Sequence, residues 1–531
     1  MTKVKILQFS PTKAFFFPGQ PIQVKFNLAA EQPSQAVLRV RVSQLAVDVI
    51  THEKKLALEP GENIVNLLLP SPSDTPQSYG LYAALYDHNG MMKDNSFSAV
   101  DTLMHWTDFP RYGFLTDFSP NRTDIDTALD SLMAYHINGL QFYDWQYRHD
   151  TLVPLQDDYL DPLGRSLSVK TIKNLIAAAH SRRMATMPYM AVYAASLSFW
   201  ESHPEWQLFD KKGQPLIFED FLGLMNPAPD SPWVGYLTKQ CDDVLSGFSF
   251  DGLHVDQYGN PKTAFDSVGE AVNIPQAFKT FVNRLKATFS DKSVVFNAVG
   301  NWPIDEIVSA QVDFLYIEVW PPDSTFYDLQ RIVTEAREKS GNKPVVIALY
   351  LPADQLTNIR IANAVIIASG GSRIELGENG KLLADPYFPK HENRSPELVE
   401  VMKKYQDFLV RYGQLLGPMA VMEKESGITL PSDALCTLRK NKNWWAVNVI
   451  NLAGLADTRW DKAQPAPTPR VDINFKIAVQ KKPEEVWVAS PDSITPEMEP
   501  LPFTFDQGNL IIRLPELNYW SIILIKYEIE D

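Results

Sequence analysis

The stretch Asp251-Gly-Leu-His-Val-Asp256-Gln-Tyr-Gly259 is the clearest example of the pattern that predicts the fold. Its short apolar run stops at the carboxylate of Asp256, and a second run of the same form, Asp313-Phe-Leu-Tyr-Ile-Glu318-Val-Trp320, stops at Glu318. Apolar runs this short, separated by longer stretches with helical periodicity, are typical of parallel strands joined by crossover helices. The surrounding sequence repeats this pattern.

From about residue 110 the chain contains eight such runs. The predicted strands are Tyr112–Thr116, Gly139–Tyr143, Ala185–Tyr189, Gly252–Val255, Val294–Asn297, Phe314–Ile317, Val345–Tyr350 and one near Ile366–Ile374. The predicted helices between them include Thr123–Tyr135, Ser168–Ser181, Ile274–Ser290 and Thr325–Ser340. Eight βα units over about 300 residues predict a (β/α)₈ TIM barrel. A doubly wound open sheet is the alternative, but no Gly-rich phosphate loop follows any strand.

Both flanks of the barrel region read as β-structure. Residues 1–108 contain short alternating strands separated by Pro, Gly and Ser clusters, which predict an immunoglobulin-like β-sandwich. Residues 109–418 hold the barrel and a closing helix at about Ser395–Leu415, and residues 419–531 predict a second β-sandwich. A chain of 531 residues is too long for one hydrophobic core, so a multidomain protein with three domains is expected.

The amino-acid composition limits the classes of binding partner. The formal net charge of −15 argues against nucleic acid and against an anionic membrane, because both bind basic surfaces. No apolar run approaches the ~20 residues that span a bilayer. The N-terminus lacks the apolar region and cleavage site of a signal peptide, so we expect either a cytoplasmic protein or a secreted one expressed without its signal. No obligatory protein partner is evident.

The sequence predicts neither a metal site nor a cofactor. Cys241 and Cys436 form no disulfide framework and fit no zinc motif. The nine His residues are scattered, without a pair that would share a face. Asp117, Asp144 and Asp256 form the weaker alternative of an oxygen-ligand cation site.

Two carboxylates carry the predicted chemistry. In barrel enzymes the reacting groups lie at the C-terminal ends of the strands, and Asp256 and Glu318 end strands four and six, which are near neighbours across the barrel mouth. Glycoside hydrolysis needs such a pair, one carboxylate ionised and the other protonated. A strand-end acid is also often structural, but His254, Gln257 and Tyr258 can bind hydroxyls beside Asp256 and favour the catalytic interpretation.

Other residues suited to a sugar site recur at the predicted strand ends. Taken singly, each is more often a core or capping residue, and their recurrence is what carries information. These rim candidates are Asp144, His149, Tyr189, Tyr193, Asn297, Trp302, Trp320, Tyr350 and Glu375.

At these residues the sequence resembles glycoside hydrolase family 66, the dextranases and cycloisomaltooligosaccharide glucanotransferases. The matching stretches are Tyr143-Asp-Trp-Gln-Tyr-Arg-His149, Phe250-Asp-Gly-Leu-His-Val-Asp-Gln-Tyr-Gly259 and Tyr316-Ile-Glu-Val-Trp320. The resemblance implies a retaining double displacement on α-1,6-glucosidic bonds of dextran or isomaltooligosaccharides, with Asp256 as nucleophile and Glu318 as acid/base. It also implies a glucose unit bound among Tyr143, Asp144, His149, His254, Asn297 and Glu375.

Within that family the dextranase branch is favoured. The cyclising enzymes carry a carbohydrate-binding insertion near the seventh strand, whereas here only about 15 residues separate Tyr350 from the next predicted strand. Three alternatives stay open: a cycloisomaltooligosaccharide glucanotransferase, an enzyme on another α-glycoside, and a non-catalytic carbohydrate-binding protein. The presence of both carboxylates argues against the last of these.

Overall fold

The protein is built around a barrel of eight parallel strands. The computed structural model describes residues 4–423, 427–429 and 431–528. Each barrel strand pairs in parallel with its neighbour in the chain, so the spatial order runs from strand one to strand eight. The barrel strands, counted in chain order, are Tyr112–Leu115, Gly139–Phe142, Ala185–Ala191, Gly252–Asp256, Ser293–Val299, Leu315–Glu318, Val345–Ala348 and Gly371–Ile374.

The barrel is completed between strand one and the residues that follow strand eight. The Phe114 amide donates to the Leu376 carbonyl oxygen at 3.0 Å, and Phe114 forms a parallel bridge with Gly377. Gly377 is needed here, because a Cβ at this position would lie 2.5 Å from the Phe114 ring. The C-terminal ends of the eight strands therefore meet at one mouth.

Strand eight begins later than the sequence predicts. The expected segment near Ile366–Ile374 starts inside the helix Leu356–Ala368, and the strand is confined to Gly371–Ile374. Nearly every residue of that helix after Thr357 is buried, so the helix is apolar on all sides. It lacks the periodicity that separates a helix from a buried strand, which is why the sequence misplaced the boundary. The other seven predicted strands overlap observed ones.

Helices cover the outside of the barrel, and the four predicted between its strands are confirmed with small shifts at their ends. Thr325 begins its helix with a capping box that includes Asp328, whereas Ser168 lies at the cap position of its helix without a side-chain capping bond. The α-helices are Ile125–Met133, Val169–Ser181, Leu197–Ser202, Pro232–Gly247, Ile274–Thr288, Ile304–Ile307, Phe326–Lys339, Leu356–Ala368, Pro396–Arg411 and Gly413–Leu416. Within the described residues, every helix is too short or too polar to cross a bilayer.

Antiparallel sheets precede the barrel in the chain. A three-stranded and a four-stranded sheet share one core, in which Phe26, Leu38 and Tyr79 are buried. The boundary at 108/109 and the immunoglobulin-like character of this region stay predictions. The strands are Val4–Pro11, Ile22–Ala30, Ser34–Gln44, Val47–Leu58, Gly61–Leu69, Gln77–Asp87 and Met92–Thr102.

Antiparallel sheets also follow the barrel. A six-stranded and a four-stranded sheet share a core around Phe475 and Ile523. The boundary at 418/419 stays a prediction, and parts of the predicted 419–531 domain lie outside the described residues. The strands are Val421–Glu423, Ile428–Thr429, Ala434–Asn441, Trp444–Asn451, Arg470–Ala478, Glu485–Ala489, Glu499–Pro500, Phe503–Asp506, Asn509–Leu517 and Trp520–Lys526.

Glu497 joins the three parts of the chain. Its two carboxylate oxygens accept hydrogen bonds from Arg41 Nη2 of the first sheet region at 2.7 and 2.6 Å. One of them also accepts from Arg411 Nη2, at the end of the last barrel helix, at 3.0 Å. Arg411 is almost fully buried and donates in addition to Ser43 Oγ. Glu497 thus neutralises two guanidinium groups at the junction of the sheets and the barrel.

Replacing Glu497 by Gln is expected to lower the unfolding temperature by a few degrees, because buried Arg411 loses its charged partner. Thermal unfolding followed by circular dichroism measures the change. Glu499→Gln, an exposed position in the same segment, is the matched control and is expected to leave the transition in place. Equal unfolding temperatures for the two variants would contradict the role of Glu497.

Candidate active site

Asp256 and Glu318 face each other at the mouth of the barrel and share one hydrogen-bond donor. Asp256 is the last residue of strand four and Glu318 the last of strand six. Strand five lies between these strands and carries Asn297. The Asn297 Nδ2 atom donates to Asp256 Oδ1 at 2.8 Å and to Glu318 Oε2 at 2.7 Å. Because strand five lies between strands four and six, its Asn297 side chain reaches the carboxylates of both neighbouring strands.

The shared donor limits the distance between the two carboxylates. Because both bonds end on the same nitrogen, Asp256 Oδ1 and Glu318 Oε2 are at most about 5.5 Å apart. Retaining glycosidases separate their carboxyl groups by ~5–5.5 Å, and inverting ones by ~6.5–9.5 Å. The geometry therefore suits a covalent glycosyl intermediate better than direct attack by water.

Each carboxylate has a further donor of its own. Tyr189 Oη, in the second half of strand three, donates to Asp256 Oδ2 at 2.9 Å. Trp320 Nε1 donates to Glu318 Oε1 at 2.7 Å, and the Trp320 ring lies 5.4 Å from the ring of Tyr350, which follows strand seven. These bonds hold both carboxylates in one orientation.

Burial keeps a proton on this pair. The pKa of Asp256 is raised to about 7, first by burial and then by the negative charge of Glu318, against hydrogen bonds from Tyr189 and Asn297. Burial likewise raises the pKa of Glu318, against hydrogen bonds from Asn297 and Trp320. Interacting carboxyl groups lose their protons in two steps that belong to the pair. Between those steps the site holds one anion and one proton donor, as glycoside chemistry requires.

The two carboxylates line a cavity of about 970 Å³ at the barrel mouth. Trp320 lies on its rim with 37% of its surface exposed. Aromatic side chains of this kind can stack on the C–H faces of a sugar ring. The predicted site residues that line the cavity are Tyr143, Asp144, His149, Tyr189, Asp256, Gln257, Glu318 and Trp320.

Asp144 lines the same cavity as Asp256 and Glu318. Arg165 fixes the backbone of Asp144, since Arg165 Nη2 donates to its carbonyl oxygen at 2.9 Å, and the Asp144 backbone is in the left-handed region with φ of 50°. Burial raises the pKa of the Asp144 carboxyl to about 7, although the charge of Arg165 opposes the rise. His149 lines the cavity as well, and burial lowers its pKa to about 4, so this imidazole is neutral near pH 7.

Asp144→Asn is expected to raise the unfolding temperature at pH 8 and to change it little near pH 4. The folded pKa of about 7 lies above the unfolded value of 3.8, so ionisation costs stability that grows between these two pH values. Asn tolerates the left-handed backbone, so the substitution adds no strain. Thermal unfolding at both pH values measures the difference, and exposed Asp158→Asn serves as control. A lower unfolding temperature at pH 8 would show that Asp144 is stabilised as an anion.

Four predicted residues support the site, Gln257 from the cavity wall and Tyr193, Trp302 and Tyr350 from behind it. Gln257 lines the cavity, but Nε2 is used on the carbonyl oxygens of Asn297 and Trp302 and Oε1 on the Gly259 amide. Tyr193 Oη donates to the Asn260 carbonyl oxygen at 2.7 Å. These bonds fix the loop after Asp256. Trp302, Tyr193 and Tyr350 are not among the cavity-lining residues.

His254 lies one layer deeper than Asp256, inside the barrel. It is 1% exposed and is surrounded by the rings of Tyr112, Tyr189 and Tyr316. Burial lowers its pKa to about 3, so His254 is neutral. We therefore place it as packing beneath the nucleophile candidate and away from the sugar.

The placement of Glu375 beside the glucose does not agree with the structure. Glu375 follows strand eight, but its carboxylate pairs with Arg373 Nη1 at 3.0 Å and accepts both hydrogen bonds from Asn363 Nδ2. The side chain is 1% exposed and does not line the cavity. Glu375 is therefore a structural acid in a closed ion pair. This is the alternative interpretation that applies to any acid at a strand end.

Sequence reasoning missed two loops that complete the cavity. One follows strand three and contributes Phe218 and Phe221, and the other follows strand eight and contributes Asp385 and Tyr387. Tyr143, whose ring stacks on Phe388 at 4.2 Å, is held by the second loop. Aromatic and acidic residues in any loop at the C-terminal face were the available signal, because the active sites of barrel enzymes are built from those loops.

Sequence comparison identifies related proteins. Two proteins of Niallia circulans, each named cycloisomaltooligosaccharide glucanotransferase, are 24% and 21% identical to the chain over 81% and 97% of its length. The chain spans 63% of the first relative and 71% of the second. The sequence model of glycosyl hydrolase family 66 matches residues 11–524.

Solved structures share the fold. A cycloisomaltooligosaccharide glucanotransferase of Paenibacillus sp., complexed with cycloisomaltoheptaose, superposes with a TM-score of 0.90 at 23% identity, covering 99% of this chain and all of that one. An α-amylase of Geobacillus thermoleovorans complexed with acarbose has a TM-score of 0.55 at 12% identity, covering 80% of this chain and all of that one. At these identities the likeness shows a common architecture, the barrel with its β-rich flanks.

Proposed function

The chain belongs to glycosyl hydrolase family 66, and we propose that it is an enzyme that cleaves α-1,6-glucosidic bonds with retention of configuration. In this proposal Asp256 is the nucleophile and Glu318 the acid/base. The single observation that supports it most is the donor shared by the two carboxylates, which keeps their oxygens within about 5.5 Å.

The reaction would run in two steps. In the first, a carboxylate oxygen of Asp256 attacks the anomeric carbon while Glu318 gives its proton to the leaving glucosidic oxygen, so a glycosyl ester forms and one sugar chain departs. In the second, Glu318 removes a proton from the acceptor hydroxyl, whose oxygen attacks the anomeric carbon and releases Asp256. The acid of the first step is the base of the second, so the pair returns to its starting protonation.

The acceptor decides whether the enzyme transfers or hydrolyses. We propose transfer to a sugar hydroxyl, including ring closure, as the first candidate, because both curated relatives carry the name of a glucanotransferase. These names favour the glucanotransferase alternative over hydrolysis of dextran. A cavity of about 970 Å³ with Trp320 on its rim leaves space for an acceptor sugar beside the intermediate.

Hydrolysis by water is the second candidate, and one observation favours it. The connection from strand seven to the next helix comprises only residues 349–355. It holds no inserted carbohydrate-binding module of the kind expected near the seventh strand of the cyclising enzymes. A cyclising enzyme without that module would have to hold its long substrate by the barrel mouth alone.

Product analysis decides between these candidates. Purified protein is incubated with dextran, and the products are separated by chromatography before and after digestion from the non-reducing end, which destroys linear but not cyclic species. Transfer predicts cyclic or elongated products with little new reducing sugar, and hydrolysis predicts linear isomaltooligosaccharides with new reducing ends. Turnover of starch or an α-galactoside in place of dextran would contradict the α-1,6 assignment, and a first product of inverted configuration would contradict retention.

A further inference from the structure

Four aromatic rings form a stack outside the cavity, and the proposed reaction gives them no role. The His203 ring lies between those of Phe199 and Trp206, with centroid distances of 4.2 and 4.3 Å. The Tyr236 ring packs against Phe199 at 4.9 Å. All four residues are half-buried, and none of the four lines the cavity. Each therefore presents part of its surface to solvent.

The stack lies close to the cavity, because both belong in part to the loop after strand three. Ser196 pairs with Leu222, a residue of the cavity wall, across two antiparallel strands. The helix Leu197–Ser202 begins at the next residue and carries Phe199. Paired residues of antiparallel strands are ~5.5 Å apart and three residues span at most ~11 Å, so the Cα atoms of Phe199 and Leu222 are within about 17 Å of each other. A sugar chain that extends out of the cavity can reach the stack.

Polar atoms at the edges of the stack are available to a ligand. The Trp206 Nε1 donor is accessible to solvent and makes no hydrogen bond within the described part of the chain. The His203 ring uses Nδ1 inside the loop, 2.8 Å from the Phe199 carbonyl oxygen, which leaves its Nε2 for another partner. The Tyr236 hydroxyl, in contrast, is bonded to Thr151, so this ring serves as a support for the stack.

The chemistry of the stack suits a neutral sugar chain. Aromatic rings with polar edges offer a flat face to the C–H groups of a sugar ring and a hydrogen bond to its hydroxyls. Glu201 and Glu205 flank His203 in the sequence and are exposed, so their carboxylates can accept hydrogen bonds from further hydroxyls. The same two charges disfavour an anionic ligand.

We propose that Trp206 and His203 form a second sugar-binding site, which holds a distant part of the same α-1,6-glucan chain that occupies the cavity. The inference rests on the proposed function, because the identity of the polymer comes from there. Two contacts on one chain raise the effective concentration of the polymer at the cavity, so the second site strengthens binding without touching the reacting glucose unit. It acts on polymers and leaves substrates that fill only the cavity unaffected.

Removal of the Trp206 ring tests this inference in the Asp256→Asn protein, where the bound polymer is not turned over. We expect dextran to retard the Asp256→Asn protein in native gel electrophoresis. With Trp206→Ala added, about fivefold more dextran is expected to be needed for the same retardation. Trp206→Leu fills more of the space but has neither a flat ring nor an Nε1 donor, so it is expected to show the same loss.

The active enzyme gives a second readout. Trp206→Ala is expected to raise the KM for dextran by a similar factor and to leave turnover of an α-glycosyl fluoride unchanged, because the fluoride occupies only the cavity. Unchanged fluoride turnover also shows that the variant is folded. Trp445→Ala is the matched control, since Trp445 is also half-buried but packs against Tyr527 near the end of the chain. The control is expected to bind dextran like the wild type.

Three outcomes would overturn the inference. Equal retardation of the Asp256→Asn protein with and without the Trp206 ring would mean that the ring binds no glucan, and so would the absence of any retardation by dextran. Equal losses on dextran and on the fluoride would mean that the substitution acts through the cavity. The gel measurement needs no turnover, so it judges the second site even where product analysis contradicts the proposed reaction.

Discussion

Asp256→Asn is expected to reduce turnover of the α-1,6-glucan by at least ~10⁴-fold, because no carboxylate remains to form the glycosyl ester. The amide has the size of the carboxyl group, so the barrel mouth keeps its shape. The change also removes an acid whose pKa is raised to about 7 by burial. Since the folded pKa lies above the unfolded one, the wild type loses stability as the pH rises toward 7 and above, and the variant is expected to unfold at a higher temperature at pH 8.

The role of Asp256 as nucleophile can be separated from a merely structural role by chemical rescue. In Asp256→Ala the removed side chain leaves space for azide, which can attack an α-glycosyl fluoride from the face that Asp256 uses. We expect azide to restore consumption of the fluoride and to yield a β-glycosyl azide, identified by NMR. The control is Asp291→Asn, an exposed carboxylate that is expected to keep wild-type turnover. Full activity of Asp256→Asn, or an α-configured azide, would refute the assignment.

The barrel and the carboxylate pair could be predicted from the sequence because of the way buried parallel strands are built. Buried parallel strands are apolar on both faces, so a strand that stops at an acid is conspicuous, and Asp256 and Glu318 do so on strands four and six. Parallel connections place all such ends at one mouth, so topology alone brings the two acids to the same face. Neither inference needed any knowledge of side-chain contacts.

The roles of other strand-end residues needed coordinates. Glu375 and Glu318 both end or follow apolar strands, yet only Glu375 has Arg373 two residues away on its own strand to close an ion pair. Asn297 was predicted to touch sugar, whereas its Nδ2 atom joins the two carboxylates. A polar side chain often has several possible partners, and differences of about an ångström in position decide which of them it binds. The pattern of apolar residues does not contain that information.

Glu318→Gln is expected to affect different substrates to very different degrees. General acid catalysis contributes about 10²–10⁴-fold, and the loss is expected to be of this size for dextran, whose leaving sugar must be protonated. An α-glycosyl fluoride needs little proton donation to its leaving group. Formation of the glycosyl ester from the fluoride is therefore expected to proceed at a rate near that of the wild type, and the ester is expected to accumulate because no base activates the acceptor.

The pH dependence of ester formation from the fluoride gives a second readout of the same variant. In the wild type the negative charge of Glu318 helps to raise the pKa of Asp256. The amide that replaces this carboxylate carries no charge, so the pKa of Asp256 is expected to fall and the acidic limb of the rate profile to move to lower pH. Stopped-flow or quenched kinetics between about pH 4 and pH 8 measure the shift, and an acidic limb that stays in place would show that the two carboxylates are not electrostatically coupled.

Glu375→Gln is the matched control for this prediction, since it makes the same chemical change at the end of strand eight. Glu375 is paired with Arg373 and 1% exposed, so its substitution leaves a buried guanidinium without a charged partner. That variant is expected to unfold at a lower temperature while keeping the wild-type ratio of dextran to fluoride turnover. A leaving-group dependence confined to Glu318→Gln ties proton donation to this carboxylate; the same dependence in Glu375→Gln, or equal losses on both substrates in Glu318→Gln, would move the acid to another residue.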